Sequence, residues 1–147
     1  MQHFAGTLSR SESDQLLAGI EAHFARHGFG LFAAELRETG QFVGFIGISI
    51  PEFDAPFMPA VEIGWRLDPA CWNRGLATEG ARAVLRYAFD ILELKEVVSF
   101  TVPDNLASRR VMEKLGMTRE AADDFDYPRL PAGHPLRRHV LYRLSNI

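Results

Sequence analysis

The residues best placed for chemistry lie between Glu62 and Gly80. Glu62-Ile63-Gly64-Trp65-Arg66-Leu67-Asp68-Pro69 reads as a strand that stops at Asp-Pro, since proline withdraws a backbone donor and restricts the residue before it. The loop Ala70 to Gly80 carries Arg74, Gly75 and Gly80, then enters a segment with apolar residues at Ala81, Val84, Leu85, Ala88, Phe89 and Leu92, which is helical spacing. A strand, a glycine turn and a helix start together bring unpaired backbone N–H groups and the positive end of a helix dipole to one place, a geometry suited to phosphate. Glycine at 75 lets the backbone approach a ligand without a Cβ in the way.

Two other readings compete for this loop. It can be an ordinary strand-to-helix connection that needs glycine only for its own turn. Gly75, Ala77 and Gly80 also stand at G-x-A-x-x-G spacing, but a dinucleotide fingerprint wants its first glycine directly after the strand and an acid ending the next one. Here a proline-containing loop intervenes, and Glu96 precedes the following apolar run. A Walker loop is excluded because no Gly-Lys-Ser/Thr follows.

Trp72-Asn73-Arg74-Gly75-Leu76-Ala77-Thr78-Glu79 resembles the acetyl-CoA pyrophosphate loop of the GCN5-related N-acetyltransferase (GNAT) family, in the form found in its ribosomal-protein N-terminal acetyltransferase-like branch. Trp72 stands where most members have Gln or Arg. Downstream, Asn105-Leu106-Ala107-Ser108 through Gly116-Met117 is similar to the family's second cofactor helix. The likeness is good from about Gly28 to Met117 and looser to Leu144.

That resemblance implies direct transfer of acetyl from acetyl-CoA to a primary amine, a protein N-terminus or a small molecule, with no acetyl-enzyme and no metal. It makes Glu62 the candidate base, matching a Glu that many members use through a water, and the Leu67 amide the oxyanion donor. The implied cofactor-binding set is Trp65, Arg66, Leu67, Asn73, Arg74, Gly75, Leu76, Ala77, Thr78, Asn105 and Ser108. Many members place a tyrosine proton donor seven residues after the capping Asn, and here that position is Met112, which has no proton to give. Ser108 is then the catalytic candidate for stabilising the leaving thiolate, with solvent or Tyr127 as alternatives. A non-catalytic module of the same fold that binds or senses acyl-CoA is the competing reading.

Composition narrows the context. The chain has 147 residues, enough for one domain over 1–147, and is 47% hydrophobic. A net charge of −3 argues against nucleic acid and favours cationic acceptors. No apolar run approaches a membrane span and the start lacks a signal peptide's pattern, so the cytoplasm is expected. One cysteine, Cys71, reads as a small packed residue.

The remaining elements follow from periodicity. Ser11 or Ser13 caps a helix running to about His27 and stopped by Gly28, with Leu16, Leu17, Ile20 and Phe24 on one face. His23 and His27 read as a solvated pair. Leu31–Leu36 and Phe42–Ile50 form a hairpin, the three-proline segment 51–59 is a loop that covers the sheet, and Glu96–Val102 is a strand. Asp104 or Asn105 caps the helix that Gly116 ends. Thr118–Ala122 and His139–Leu144 are strands around a loop from Asp123 to Arg138. The expected fold is a mixed, mostly antiparallel α/β sheet with a splayed central pair and flanking helices. The family begins with a strand and helix before the segment that Met1 to Leu8 resembles; lacking that strand, the sheet edge invites a second copy, giving a homodimer.

Overall fold

A computed structural model describes residues 9–146. Its elements are helix α1 (Arg10–His27), strands β1 (Leu31–Glu35), β2 (Phe42–Ser49) and β3 (Glu62–Leu67), helix α2 (Leu76–Arg86), strand β4 (Glu96–Thr101), helix α3 (Leu106–Lys114), and strands β5 (Thr118–Arg119), β6 (Phe125–Asp126) and β7 (Arg138–Ser145). The strand order is β1-β2-β3-β4-β7-β5, with β6 on the side of β7. All pairings are antiparallel except β3 with β4, the mixed α/β sheet expected from a hairpin ahead of βα units.

The central pair is splayed. β2 and β3 pair from Ser49–Glu62 to Gly44–Leu67, whereas β3 and β4 meet only at Glu62–Val98. Past that point Ser99 Oγ reaches over to donate to the Ile63 carbonyl at 2.8 Å. Ser99 is 2% exposed, and the bond satisfies a hydroxyl that burial would otherwise penalise. The direction of the amides follows from two bonds. Asp68 N–H donates to Val43 O on the β2 side, and Val98 N–H donates to Val61 O on the β4 side. Alternation therefore turns the amides of Trp65 and Leu67 toward the gap that β4 leaves.

Side chains alternate likewise. Ile63, Trp65 and Leu67 join the main core, where Ile48, Ala81, Leu85, Val97 and Met112 are buried between the sheet and α2 and α3. Glu62 and Arg66 point to the other face. A smaller core of Val98, Phe125 and Leu141, covered by Phe53, Phe57 and Phe100, lies apart from the main one. β2 is bulged where it meets the end of β3: Ala34 pairs with Gly44 and Glu35 with Phe42, leaving Val43 extra. Gly44 has φ +143°, and a Cβ there would stand 2.0 Å from Arg66 O, so only glycine lets β2 close on β3 at this point.

Several local expectations are corrected. The cap of α1 is Ser9, not Ser11 or Ser13: Ser9 Oγ accepts from Glu12 N–H at 3.1 Å and Glu12 Oε1 accepts from Ser9 N–H at 3.0 Å, a reciprocal capping box. His23 is not merely solvated. Ile50 N–H donates to its Nε2 at 2.9 Å, so Nδ1 carries the proton and donates to Phe29 O at 2.8 Å, tying α1 to the end of β2. The helix after the loop is regular only to Arg86 and continues as a π turn over Tyr87–Ile91. Thr118–Ala122 is a strand only at Thr118–Arg119, and the loop from Asp123 contains β6, which pairs Phe125 with His139. Cys71 is buried and Gly28 ends α1, as expected. The segment Met1 to Leu8, on which the missing-strand expectation turned, lies outside the described residues; within them β1 is a sheet edge. Among the described residues no helix is long and apolar enough to cross a membrane.

Candidate active site

The splay opens onto two cavities. The first, of about 660 Å³, lies between the C-terminal end of β3, the loop into α2, and α3. Trp65, Arg66, Leu67, Asn73, Gly75, Leu76, Ala77, Thr78, Asn105 and Ser108 all line it, which brings together ten of the residues assigned to the cofactor. Arg74 is exposed and stands outside the lining.

The loop owes its shape to a few residues. Asp68 accepts from Ala70 N–H at 3.0 Å, which starts a short turn over Pro69–Cys71, and Trp72 Nε1 donates to Leu67 O at 2.9 Å, pinning the loop back on β3. The indole thus does local structural work at the position where Gln or Arg is common in the family. Asn73 at φ +61° and Gly75 at φ +75° turn the chain into α2. Gly75 is the N-cap and no side chain caps the helix, so the amides of the first turn remain available to an acceptor in the cavity. Nothing lies within 4 Å of where a Gly75 Cβ would be, so the space above this turn is open.

At the other wall, Asn105 Oδ1 accepts from Ser108 N–H at 3.2 Å and caps α3, while its Nδ2 donates to Thr101 Oγ1 at 3.0 Å. Both ends of the amide are used by the fold. Ser108 Oγ accepts from Trp65 Nε1 at 3.3 Å. A hydroxyl oxygen that accepts in this way keeps its own proton free to donate elsewhere. Met112, four residues on, is 1% exposed in the core and is absent from the lining.

The second cavity, of about 860 Å³, is bounded by α1, segment 49–53, β4 and the stretch from Tyr127 to His139. Glu62 and Arg66 reach it from β3, and Arg66 and Asn105 line both cavities, marking where they meet. Desolvation pushes the Glu62 carboxyl up to about 8, so its ionised form becomes the major one only above that pH. Burial also raises the Tyr127 hydroxyl, with the Glu62 charge adding to the effect, and lowers His139. Tyr127 and His139 stack at 5.0 Å, and Phe53 meets Tyr127 edge-on at 5.1 Å. The proline-rich segment therefore both covers the sheet and, through Phe53, lines this cavity.

Sequence reading missed two groups of lining residues. Phe42 to Phe45 enter the first cavity from the β2 bulge, with no motif to mark them. Arg110 and Lys114 line it from α3, and a basic pair one helical turn apart beside the capping Asn was the available signal. Among the described residues no cluster of three or more His, Cys, Asp or Glu could hold a metal.

Comparison with known proteins agrees with this geometry. A family model described as "Acetyltransferase (GNAT) domain" matches residues 1–118. The FsC-acetyl coenzyme A-N(2)-transacetylase of Aspergillus fumigatus is 39% identical over 95 residues, 62% of this chain, and the chain spans 40% of that protein's length. An acetyltransferase from Agrobacterium tumefaciens superposes with a TM-score of 0.73 and 30% identity, over 96% of this chain and 75% of that one. The fold is shared as well with the ribosomal-protein-S5-alanine acetyltransferase of Vibrio fischeri, at a TM-score of 0.74 and 20% identity, over 98% of this chain and 79% of that one. A splayed β3–β4 pair with an uncapped helix start beside it, and a family match over most of the chain, place this protein in the GNAT acetyltransferase family.

Proposed function

We propose that the protein is an acetyl-CoA-dependent N-acetyltransferase acting on a primary amine. The observation that carries this reading is the division of the two cavities: one holds the amides and Ser108 suited to CoA, the other holds Glu62, and they meet at Arg66 and Asn105 beside the gap between β3 and β4. Pyrophosphate sits on the first-turn amides of α2 and the loop before it, and Arg110 and Lys114 add positive charge from α3. The pantetheine arm runs into the gap, where the Leu67 amide meets the thioester carbonyl.

The amine arrives from the second cavity. An ammonium is no nucleophile, and the ordinary pKa of an α-amine is about 7.7–8.0. A carboxyl tuned to about 8 by burial matches that proton, taking it through a bridging water when Glu62 is ionised. The nitrogen then attacks the carbonyl carbon, a C–N bond forms, the nitrogen gives its second proton to solvent, and the C–S bond breaks. The departing thiolate takes a hydrogen bond from Ser108 Oγ, near the N-terminus of α3 where the dipole favours negative charge. Solvent supplies the proton that completes the thiol. Tyr127 lines the acceptor side and not the cofactor side, which favours Ser108 over it for this role.

The test is CoA release from acetyl-CoA in the presence of small amines and N-terminal peptides, with product mass. Amine-dependent release with a product heavier by one acetyl group supports transfer; tight acetyl-CoA binding with no release on any amine would instead favour an acyl-CoA-sensing module. The fold shared with ribosomal-protein acetyltransferases makes peptide N-termini one arm of the panel.

A further inference from the structure

The acceptor cavity reverses the charge of the chain. The protein carries a net charge of −3, yet the charged side chains lining this cavity are Arg26, Arg66 and Arg129 against Glu52 and Glu62. Each carboxylate already has a role. Glu52 stands 3.8 Å from the Arg26 guanidinium at the exposed rim, and Glu62 is the base of the reaction. Its raised pKa keeps it largely uncharged at neutral pH.

Arg129 lines this cavity from the segment ahead of β7. Its Nη2 donates to Glu52 O at 2.7 Å, using one of its five N–H donors. Arg129, Glu62 and Tyr127 line the same cavity. Phe53, Phe100, Tyr127 and His139 give that cavity an aromatic wall. Leu16, Ile20 and Leu136 add apolar surface.

We propose that the acceptor is a small amine bearing a carboxylate on an apolar or aromatic body, an amino-acid-like molecule, with Arg129 binding the carboxylate and the aromatic wall holding the body while the amine faces Glu62. The assignment rests on the acetyl-transfer reading above and deepens it. A guanidinium with spare donors binds a carboxylate by charge-assisted hydrogen bonds, and a cavity of this size suits such a ligand.

The experiment compares kcat/KM on matched acceptors that share a side chain: phenylalanine, phenylalaninamide and phenethylamine, and the corresponding leucine set. The carboxylate-bearing member of each set should be preferred by about tenfold or more, the difference residing mainly in KM. Arg129→Gln should reduce that preference to about threefold or less, and Arg129→Lys should restore part of it. Retained stabilisation of both variants by acetyl-CoA reports that they are folded. Amides or simple amines used as well as the carboxylates, or a preference that survives Arg129→Gln in a folded variant, would overturn the assignment; better use of phenylalaninamide would point to a peptide N-terminus instead. Absence of transfer to every acceptor would overturn the acetyl-transfer reading, and this assignment with it.

Discussion

The two cavities on either side of β3 are built in opposite ways. The cofactor side draws most of its wall from two continuous stretches, Trp65 to Thr78 and Asn105 to Lys114, in which a strand end, a turn and a helix start follow each other along the chain. The second cavity collects shorter pieces of six elements and loops from Gln15 in α1 to His139 in β7, brought together only by sheet order and by helix packing. A ligand held by backbone amides demands a local conformation, and local conformation leaves a motif. One held by side chains from distant elements leaves none.

The sharpest way to break the comparison is Gly75→Glu. It forces a side chain with a Cβ into φ +75° and sets a negative charge where phosphate should lie. Because nothing in the protein occupies that space, the fold should survive while acetyl-CoA-dependent thermal stabilisation disappears. Gly75→Asn, which tolerates the left-handed region, should keep most of it. Full stabilisation of the Glu variant would mean the loop is not the phosphate site, and stabilisation of the wild type by NADH in place of acetyl-CoA would return the dinucleotide reading.

On the acceptor side, Glu62→Gln should lower turnover by about 10²–10⁴-fold while leaving acetyl-CoA affinity nearly intact. The wild-type rate should climb with pH through about 8 and level off above it, and the variant should keep only the part of that limb that belongs to the amine's own proton. Stability carries the same signature with a fixed sign. A carboxyl whose folded pKa is raised from 4.5 to about 8 stabilises the fold below its unfolded value and loses that contribution as pH rises to about 8. Glu62→Gln should therefore match the wild-type Tm at acid pH and exceed it at pH 9. A flat rate profile with parallel Tm curves would remove Glu62 from the role.

Smaller effects test the junction. Ser108→Ala should slow transfer by about tenfold with little change in CoA binding, as expected for one lost hydrogen bond to developing charge. Wild-type turnover in that variant would remove Ser108 from the role and leave the thiolate to solvent alone. Trp65→Phe removes the indole N–H that orients Ser108 and should cost about threefold in kcat, the worth of one neutral hydrogen bond. An effect of Trp65→Phe that persists in a Ser108→Ala background would show that the indole acts by some other route.

What the sequence determined by itself is the set of features that the backbone imposes locally. Proline at 69 ended a strand, Gly75 allowed a left-handed turn, Asn105 capped α3, and period-2 alternation put Glu62 and Arg66 on the face opposite Trp65 and Leu67. Even the start of α1 is local, since Ser9 stands at capping-box spacing from Glu12, ahead of Ser11 and Ser13. Tertiary structure decided the rest. Whether His23 meets solvent or latches Ile50 and Phe29, whether Phe53 covers or lines, and which arginines collect in a cavity of an acidic chain all depend on contacts between residues far apart in sequence. The charge of a whole chain says nothing about the charge of one concavity, and a carboxyl on a strand acquires its pKa from neighbours that only the folded sheet brings around it.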